Sequence, residues 1–322
     1  MSAGRALITG GAGFIGFHLA RRLVADGAEV VLVDDLSRGR VDGELRGLLG
    51  HVRLVEHDLR QPVPEGLLGD GFQVVYHLAA VVGVDRSTRD PGHVLRTNVL
   101  STLHLLDWCA RTEPETVFLS STSEVADGAV HLGLGALPVP EDVPYAIPDP
   151  RLSRSCYALS KMLAESALLH GAPGTRVRIA RLFNVYGPRM GSAHVIPQLM
   201  ERMLAGVDPF PLYGTSQTRS FCYVDDAVEA ITRLVRAGGD EAIVANVGND
   251  REEVTIGELA ERIFALHRRP ARVEVREPPP GSPERRQPDL GELRRLTGFE
   301  PRCGLDSGLR RTFEWYAGGR PT

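Results

Sequence analysis

Lysine is almost absent from this chain. Of 37 basic residues only Lys161 is a lysine, and the other 36 are arginines. Such a bias fits a GC-rich genome. Where it runs this far, a retained lysine suggests a position that arginine cannot fill. Arginine is permanently charged and planar, whereas lysine is a compact point charge that can sit beside a phenol. Cysteine is scarce too. Cys109, Cys156, Cys222 and Cys303 form no CxxC pair and no metal-ligand spacing. That argues against a disulfide scaffold and a metal cluster, and fits a reduced, cytoplasmic setting. No apolar run approaches about 18 residues, so no membrane span is expected. The start, Met1 to Arg5, leads directly into a strand pattern, and no signal peptide is expected. Like charges form no block and the net charge is −4, so neither nucleic acid nor membrane is an expected partner. There is no internal repeat.

What remains is an ordinary globular composition, 43% hydrophobic and 24% charged over 322 residues, with room for a large core and two domains. Ala6–Thr9 reads as a short buried strand. Gly10-Gly11-Ala12-Gly13-Phe14-Ile15-Gly16 follows, then an amphipathic run from Phe17 to Ala25. A second strand, Val30–Val33, ends at Asp34-Asp35, 18 residues after Gly16. Glycines Gly10, Gly13 and Gly16 allow a tight turn and let a pyrophosphate approach a helix N-terminus, whose amides and dipole favour the anion. An acid at the end of the second strand can accept both ribose hydroxyls and repels a 2′-phosphate, which favours NAD over NADP. The neighbouring Arg38 and Arg40 are the features that would suit NADP. Further strands are read at Val52–Glu56, Val74–Leu78 and Thr116–Ser120, with a helix from Asn98 to Ala110. Alternating strands and helices predict an α/β fold, a doubly wound parallel Rossmann sheet, with a smaller C-terminal α/β domain. Ligands in such sheets lie beyond the carboxyl ends of the strands. Asp34, Asp58, Ala79-Ala80 and Ser120 to Glu124 all fall at such ends.

Tyr157 and Lys161 are four residues apart on a pattern that reads as helix to about His170, so they share one face. A lone YxxxK would more simply be one surviving surface lysine; the glycine turn and the acid beside it argue otherwise. A phenol titrates near about 10 in solution. A neighbouring cation favours the phenolate, and Tyr157 can then act as a base at neutral pH. Thr122, just past the strand ending at Ser120, could hold the same substrate oxygen. Tyr157 would take the hydroxyl proton while hydride leaves for the nicotinamide.

The motifs together resemble an extended short-chain dehydrogenase/reductase of the NAD-dependent nucleotide-sugar epimerase/dehydratase family. They are TGGAGFIG (Thr9–Gly16), HLAA (His77–Ala80), STSEV (Ser121–Val125), YALSK (Tyr157–Lys161), RLFNVYGPR (Arg181–Arg189), GTSQTRSFCYVDDAVEA (Gly214–Ala230), NVGN (Asn246–Asn249) and RRQPD (Arg285–Asp289). They span the chain from end to end. The resemblance implies tightly held, recycled NAD and a nucleotide-diphosphate sugar as substrate. The sugar C4 hydroxyl would be oxidised to a ketone, the ketone would react, and the hydride would return. It implies a cofactor site that adds Phe14, Ile15, Asp35, Ser37, Arg38, Asp58, Leu59, Leu78, Ala79, Ala80 and Asn98 to the three glycines, Asp34, Tyr157 and Lys161. It implies a substrate site of Val82, Thr122, Asn184, Val195, Tyr213, Arg219 and Arg286, with Asn184 and Arg219 on the diphosphate and sugar. Residues 1–183 and about 223–247 would form the NAD domain, and about 184–222 and 248–322 the sugar domain. A homodimer would form through the helices after Asn98 and around Tyr157. The Gly- and Pro-rich stretch from Asp127 to Arg154 reads either as a mobile flap or as a surface loop.

The catalytic set is then Thr122, Ser123, Glu124, Tyr157 and Lys161, with no metal. A 4-keto sugar has acidic C3 and C5 protons, and a carboxylate on C5 becomes a leaving group. Inversion at C4, C3 or C5, decarboxylation and loss of water all remain open. Glu124 could remove a C5 proton or orient a carboxylate; the plainer reading is a solvated helix-end acid. Thr122-Ser123-Glu124, Arg154-Ser155-Cys156-Tyr157 and Arg286-Gln287-Pro288 are similar to UDP-glucuronate decarboxylases. Ala80-Val81-Val82-Gly83-Val84 instead looks like the loop of epimerases, and Ala126-Asp127 replaces the usual Tyr-Gly. Epimerisation therefore ranks first and decarboxylation second. Dehydration ranks third, because Ser123 is a poor general acid. Cys156 should point about 100° away from Tyr157 on the helix. His77 reads as a packing residue, and His194 as a residue that could touch the sugar. An NAD-binding protein without turnover and a one-step NADP reductase are the remaining classes; the intact Thr-Tyr-Lys set and the Asn184–Arg219 pair argue against them.

Overall fold

The computed structural model describes residues 4–172, 174–267 and 272–319. The chain opens with β1 (Arg5–Thr9), α1 (Phe14–Ala25), β2 (Glu29–Asp34), α2 (Gly43–Leu48), β3 (Val52–Glu56) and β4 (Val74–His77). Next come α3 (Val84–Arg89), α4 (Pro91–Thr112), β5 (Thr116–Thr122), α5 (Glu124–His131), α6 (Ser155–Gly171), β6 (Arg176–Leu182) and β7 (Val185–Tyr186). The later part holds α7 (Val195–Leu204), β8 (Phe210–Tyr213), β9 (Thr218–Ser220), β10 (Cys222–Tyr223), α8 (Val224–Arg236), β11 (Ile243–Val247) and β12 (Glu253–Thr255). It closes with α9 (Ile256–His267), β13 (Val273–Arg276), β14 (Arg285–Arg286), α10 (Gly291–Thr297) and α11 (Leu305–Ala317).

Seven strands form one sheet in the order β11-β6-β5-β4-β1-β2-β3, and every pairing in it is parallel. The sequence dictates this, because each central strand is apolar on both faces. Leu7, Val31, Val117 and Ile179 enter one core; Ile8, Leu32, Phe118 and Ala180 enter the other. Successive side chains alternate across the pleat, so adjacent apolar residues need helices on both sides. Truncating any of these buried leucines or isoleucines to alanine costs about 2–5 kcal/mol. The reversal of strand order between β1 and β4 opens a crevice at their carboxyl ends.

β11 returns to the main sheet beside β6, and α8 packs against α1. Small sheets β12-β9-β14 and β13-β8 are built from residues after 209. α4 and α6 pack side by side, leaving Leu103, Leu159, Leu163 and Leu169 exposed.

The structure differs from the sequence reading in several places. α4 starts at Pro91 rather than Asn98, because the Asp90 carboxylate accepts from the His93 N–H at 2.9 Å and Pro91 stands at the first helical position. β5 continues through Thr122, so this threonine ends the strand rather than following it. The stretch from Asp127 to Arg154 begins inside α5 and is then tied down. Val139 N donates to Gln287 O at 2.8 Å, and Asn246 N donates to the Glu141 carboxylate at 2.8 Å. Gly128 misled the sequence reading; a Cβ there would run into the Ala146 carbonyl, so this glycine permits close packing inside a helix.

Candidate active site

The crevice is a cavity of about 800 Å³. Its cofactor end is built by the turn between β1 and α1. Gly10 has φ +69°, and a Cβ on it would lie 2.9 Å from Ala79 N. A Cβ on Gly16 would collide with the Gly10 carbonyl oxygen. No larger residue fits either place. α1 starts at Phe14 with Gly13 as cap and no side chain capping it. The first-turn amides of a helix have no partner inside the helix, and its dipole is positive there. A cradle free of side chains, with unmatched donors, fits a dinucleotide pyrophosphate. Asp34 is buried at the end of β2. Its carboxylate accepts from Ala12 N at 3.0 Å and Leu36 N at 2.9 Å, while burial raises its pKa. It therefore shapes the turn and still has lone pairs for ribose hydroxyls. Asp35 accepts from Ser37 N at 3.0 Å and Ser37 Oγ at 2.6 Å. Gly13, Ile15, Asp58, Leu59, Leu78, Ala79, Ala80 and Val82 complete the predicted wall. Arg38 crosses the cavity, its Nη2 lying 3.3 Å from where a Cβ on Gly191 would stand.

Thr122, Tyr157 and Lys161 meet deeper in. α6 carries the last two, and β5 delivers the first. Lys161 is buried, and its Nζ donates to the Ser120 carbonyl at 2.7 Å. Burial lowers its pKa to about 8, with Glu165 opposing. Tyr157 behaves differently from the expectation. Burial and then the Glu124 carboxylate raise its pKa, and a hydrogen bond with Thr122 pulls the other way. The ammonium of Lys161 is turned to a backbone carbonyl, and the leading influences on the phenol come from burial, Glu124 and Thr122 instead. Below this centre, Glu165 accepts from Ser121 Oγ and Tyr145 Oη and pairs with Arg181, Nη2 to Oε2 at 2.9 Å.

The end of the cavity expected to take the sugar is ionic. Ser123 is buried, with its N–H on Leu182 O at 3.1 Å. Glu124 Oε1 lies 3.5 Å from Arg154 Nη2 and 3.9 Å from Arg286 Nη2. Arg286 also pairs with Asp127, with Nε to Oδ1 at 3.2 Å. Asn184 lines the cavity with φ +41°, its Nδ2 donating to Ser220 O at 2.9 Å. Val195 opens α7 beside it. His194 lines the cavity too, held neutral by burial and Arg38, with a pKa of about 4. His77 is a packing residue, as expected: it bridges Thr9 Oγ1 at 2.8 Å and Thr102 Oγ1 at 3.1 Å.

Three predicted site residues lie off the cavity wall. Asn98 is buried behind it, its amide bonded to Val81 N at 2.7 Å, Val81 O at 3.1 Å and Ser160 Oγ at 3.1 Å. It therefore ties the loop after β4 to α6. Tyr213 ends β8 at the surface, with Arg202 and Arg276 each within 6 Å of its ring. Arg219 donates to Thr218 O at 2.7 Å and Pro283 O at 2.8 Å. Its charge is felt beside Arg286, Asp127 and Glu124, and burial brings its pKa to about 9. Sequence reasoning missed Arg154 and Asp127 as site residues. Both were findable, because each stands three residues from a chosen residue, Tyr157 or Glu124, on the same helical face. Among the described residues no cluster of ligands could hold a metal.

A parallel α/β sheet with a dinucleotide cradle and a Thr-Tyr-Lys centre at its carboxyl edge defines a pyridine-nucleotide oxidoreductase fold. Comparison with known proteins narrows this. Residues 6–248 match the NAD dependent epimerase/dehydratase family, and the chain belongs to it. It is 35% identical over 314 residues to UDP-glucuronic acid decarboxylase 6 of Arabidopsis thaliana, covering 95% of this chain and 86% of that protein. The UDP-glucose 4-epimerase of Thermotoga maritima, solved with UDP-glucose, superposes with a TM-score of 0.85 at 28% identity, covering 98% and 99% of the two chains. DesIV of Streptomyces venezuelae, a dTDP-glucose 4,6-dehydratase solved with NAD bound, gives 0.86 at 29% identity and 98% coverage of each. The protein is thus an NAD-dependent enzyme of the extended short-chain dehydrogenase/reductase type. No described helix is long and apolar enough to cross a membrane.

Proposed function

We propose that this enzyme oxidises C4 of a nucleotide-diphosphate-linked hexuronate and that the resulting 4-ketone loses CO2. The observation that carries the proposal is the ionic cluster at the sugar end. Arg154 and Arg286 converge on Glu124, with Arg219 behind them. Guanidiniums are suited to forked recognition of carboxylate and phosphate. A uronate carrying a C4 ketone is a β-keto acid, which releases CO2 once its carboxylate is aligned.

Bound NAD supplies the hydride acceptor and, as a cation, favours the phenolate. Thr122 orients the C4 hydroxyl, and Tyr157 takes its proton. Lys161 fixes the end of β5 through Ser120. Glu124, held by Arg154 and Arg286, turns the uronate carboxylate out of the sugar plane. As the C5–C6 bond breaks and CO2 leaves, its electron pair passes into the C4–C5 enolate, which takes a proton from solvent water at C5; Tyr157 would return its proton to the C4 oxygen as the hydride returns to C4. Decarboxylase relatives spanning nearly the whole chain support this reading.

Inversion at C4 is the second reading. The Val81–Gly83 segment, which looks like the loop of epimerases and lines the cavity without a charge, favours it. We further propose that residues 1–183 and about 223–247 form the NAD domain, that the rest forms the sugar domain, and that the exposed leucines of α4 and α6 meet in a homodimer. A cytoplasmic location is supported by the four unpaired cysteines.

Proton NMR of the enzyme with UDP-glucuronate and catalytic NAD tests the reaction. A nucleotide pentose is expected. A C4-inverted hexuronate selects the second reading. Unchanged uronate, with turnover of neutral nucleotide hexoses instead, overturns the uronate assignment.

A further inference from the structure

Arg189 combines three unfavourable features. Its φ of +67° lies in the left-handed region that side chains seldom adopt. Its side chain is only 6% exposed, although charged. Its Nε is buried without a hydrogen-bond partner. A residue kept in this state points to the work of its remaining contacts. Those contacts all go to the cofactor end. Nη1 pairs with Asp42 and lies 3.5 Å from Glu44 Oε2. Nη2 lies 3.4 Å from the carbonyl of Ala12, inside the glycine turn. The guanidinium carbon is 4.1 Å from the ring centroid of Phe17 on α1. The same Glu44 oxygen accepts from Trp315 Nε1 at 3.2 Å. Arg189 and Trp315 both line the cavity. Two late segments, the one after β7 and α11, thus grip the N-terminal β1-α1-β2-α2 segment at its glycine turn, at α1 and at α2.

We propose that Arg189 is a positioning residue for the cofactor. It pins the glycine turn through Ala12, adds a cation to the wall beside the pyrophosphate cradle, and with Glu44 and Trp315 forms a latch that slows NAD release. The inference rests on the proposed reaction in one respect: a cofactor reduced in the first half of a turnover must stay for the second. Its test needs no sugar, so its failure is distinguishable from failure of the substrate assignment.

The experiment measures loss of bound NAD from purified holoenzyme during buffer exchange, with tryptophan fluorescence on re-addition of NAD as a second signal. The other tryptophan, Trp108, is buried against Phe72 away from the cavity wall. Arg189→Gln should release NAD about tenfold faster than wild type. Arg189→Lys, which keeps the charge but loses the fork, should fall between. Trp315→Phe should abolish most of the fluorescence change and also speed release. Wild-type retention in a folded Arg189→Gln, even with a lowered melting temperature, overturns the latch and leaves a structural strut. If that variant does not fold, Trp315→Phe decides: wild-type retention there overturns the proposal.

Discussion

Replacing Lys161 with methionine should stabilise the NAD-free protein near neutral pH while ending catalysis. The ammonium is buried, and its pKa falls from the usual 10.5 to about 8. Desolvation of the charge is the leading cause. A drop of that size corresponds to about 3 kcal/mol of destabilisation when the lysine is charged. The sign follows from proton counting. Between pH 8 and 10.5 the unfolded chain holds the lysine proton and the folded chain has released it, so wild-type stability rises with pH across that window. Below pH 8 the penalty is present in full. Methionine removes the charge but leaves the Ser120 carbonyl without its donor, at a cost of about 1–3 kcal/mol. At pH 7 the variant should therefore equal wild type or exceed it by up to about 2 kcal/mol. As pH rises through 10.5 wild type should gain about 3 kcal/mol on the variant. Urea unfolding of both NAD-free proteins, followed by circular dichroism at several pH values, measures the difference. A difference that does not change across this window would refute the reasoning.

Glu165→Gln removes one charge from a fully buried pair and strands Arg181. Stability should fall by about 3–5 kcal/mol, read as a lowered urea midpoint. Gly16→Ala places a methyl against the Gly10 carbonyl, so the turn must open. NAD affinity should drop about tenfold or more by calorimetry, while the circular dichroism spectrum stays that of the wild type.

The cofactor half of the site was legible because its signals are local. Strand, glycine turn, helix and acid follow one another between Arg5 and Asp34, and the period of the pattern changes where the structure changes. Tyr157 and Lys161 were legible through helical spacing. The start of α4 was not, since Pro91-Gly92 reads as a turn until Asp90 is recognised as its cap. The sugar end was only partly legible. Glu124 and Arg286 stand far apart in sequence, and only the packing of α5 against the turn at β14 joins Asp127 to Arg286. Tyr213 shows the converse. The family resemblance suggested a site residue there, but β8 delivers the ring to the surface between two arginines. Arg189 closes the RLFNVYGPR motif, but nothing local shows what it or Trp315 holds, because Asp42 and Glu44 lie more than a hundred residues away.

The transient ketone is best tested by mixing holoenzyme rapidly with UDP-glucuronate and following NADH absorbance in a single turnover. The absorbance should rise and then decay as product forms. The rise should slow when C4 carries deuterium, and it should be absent in Tyr157→Phe, which still binds NAD. Product formation with no rise and no isotope effect would contradict oxidation at C4.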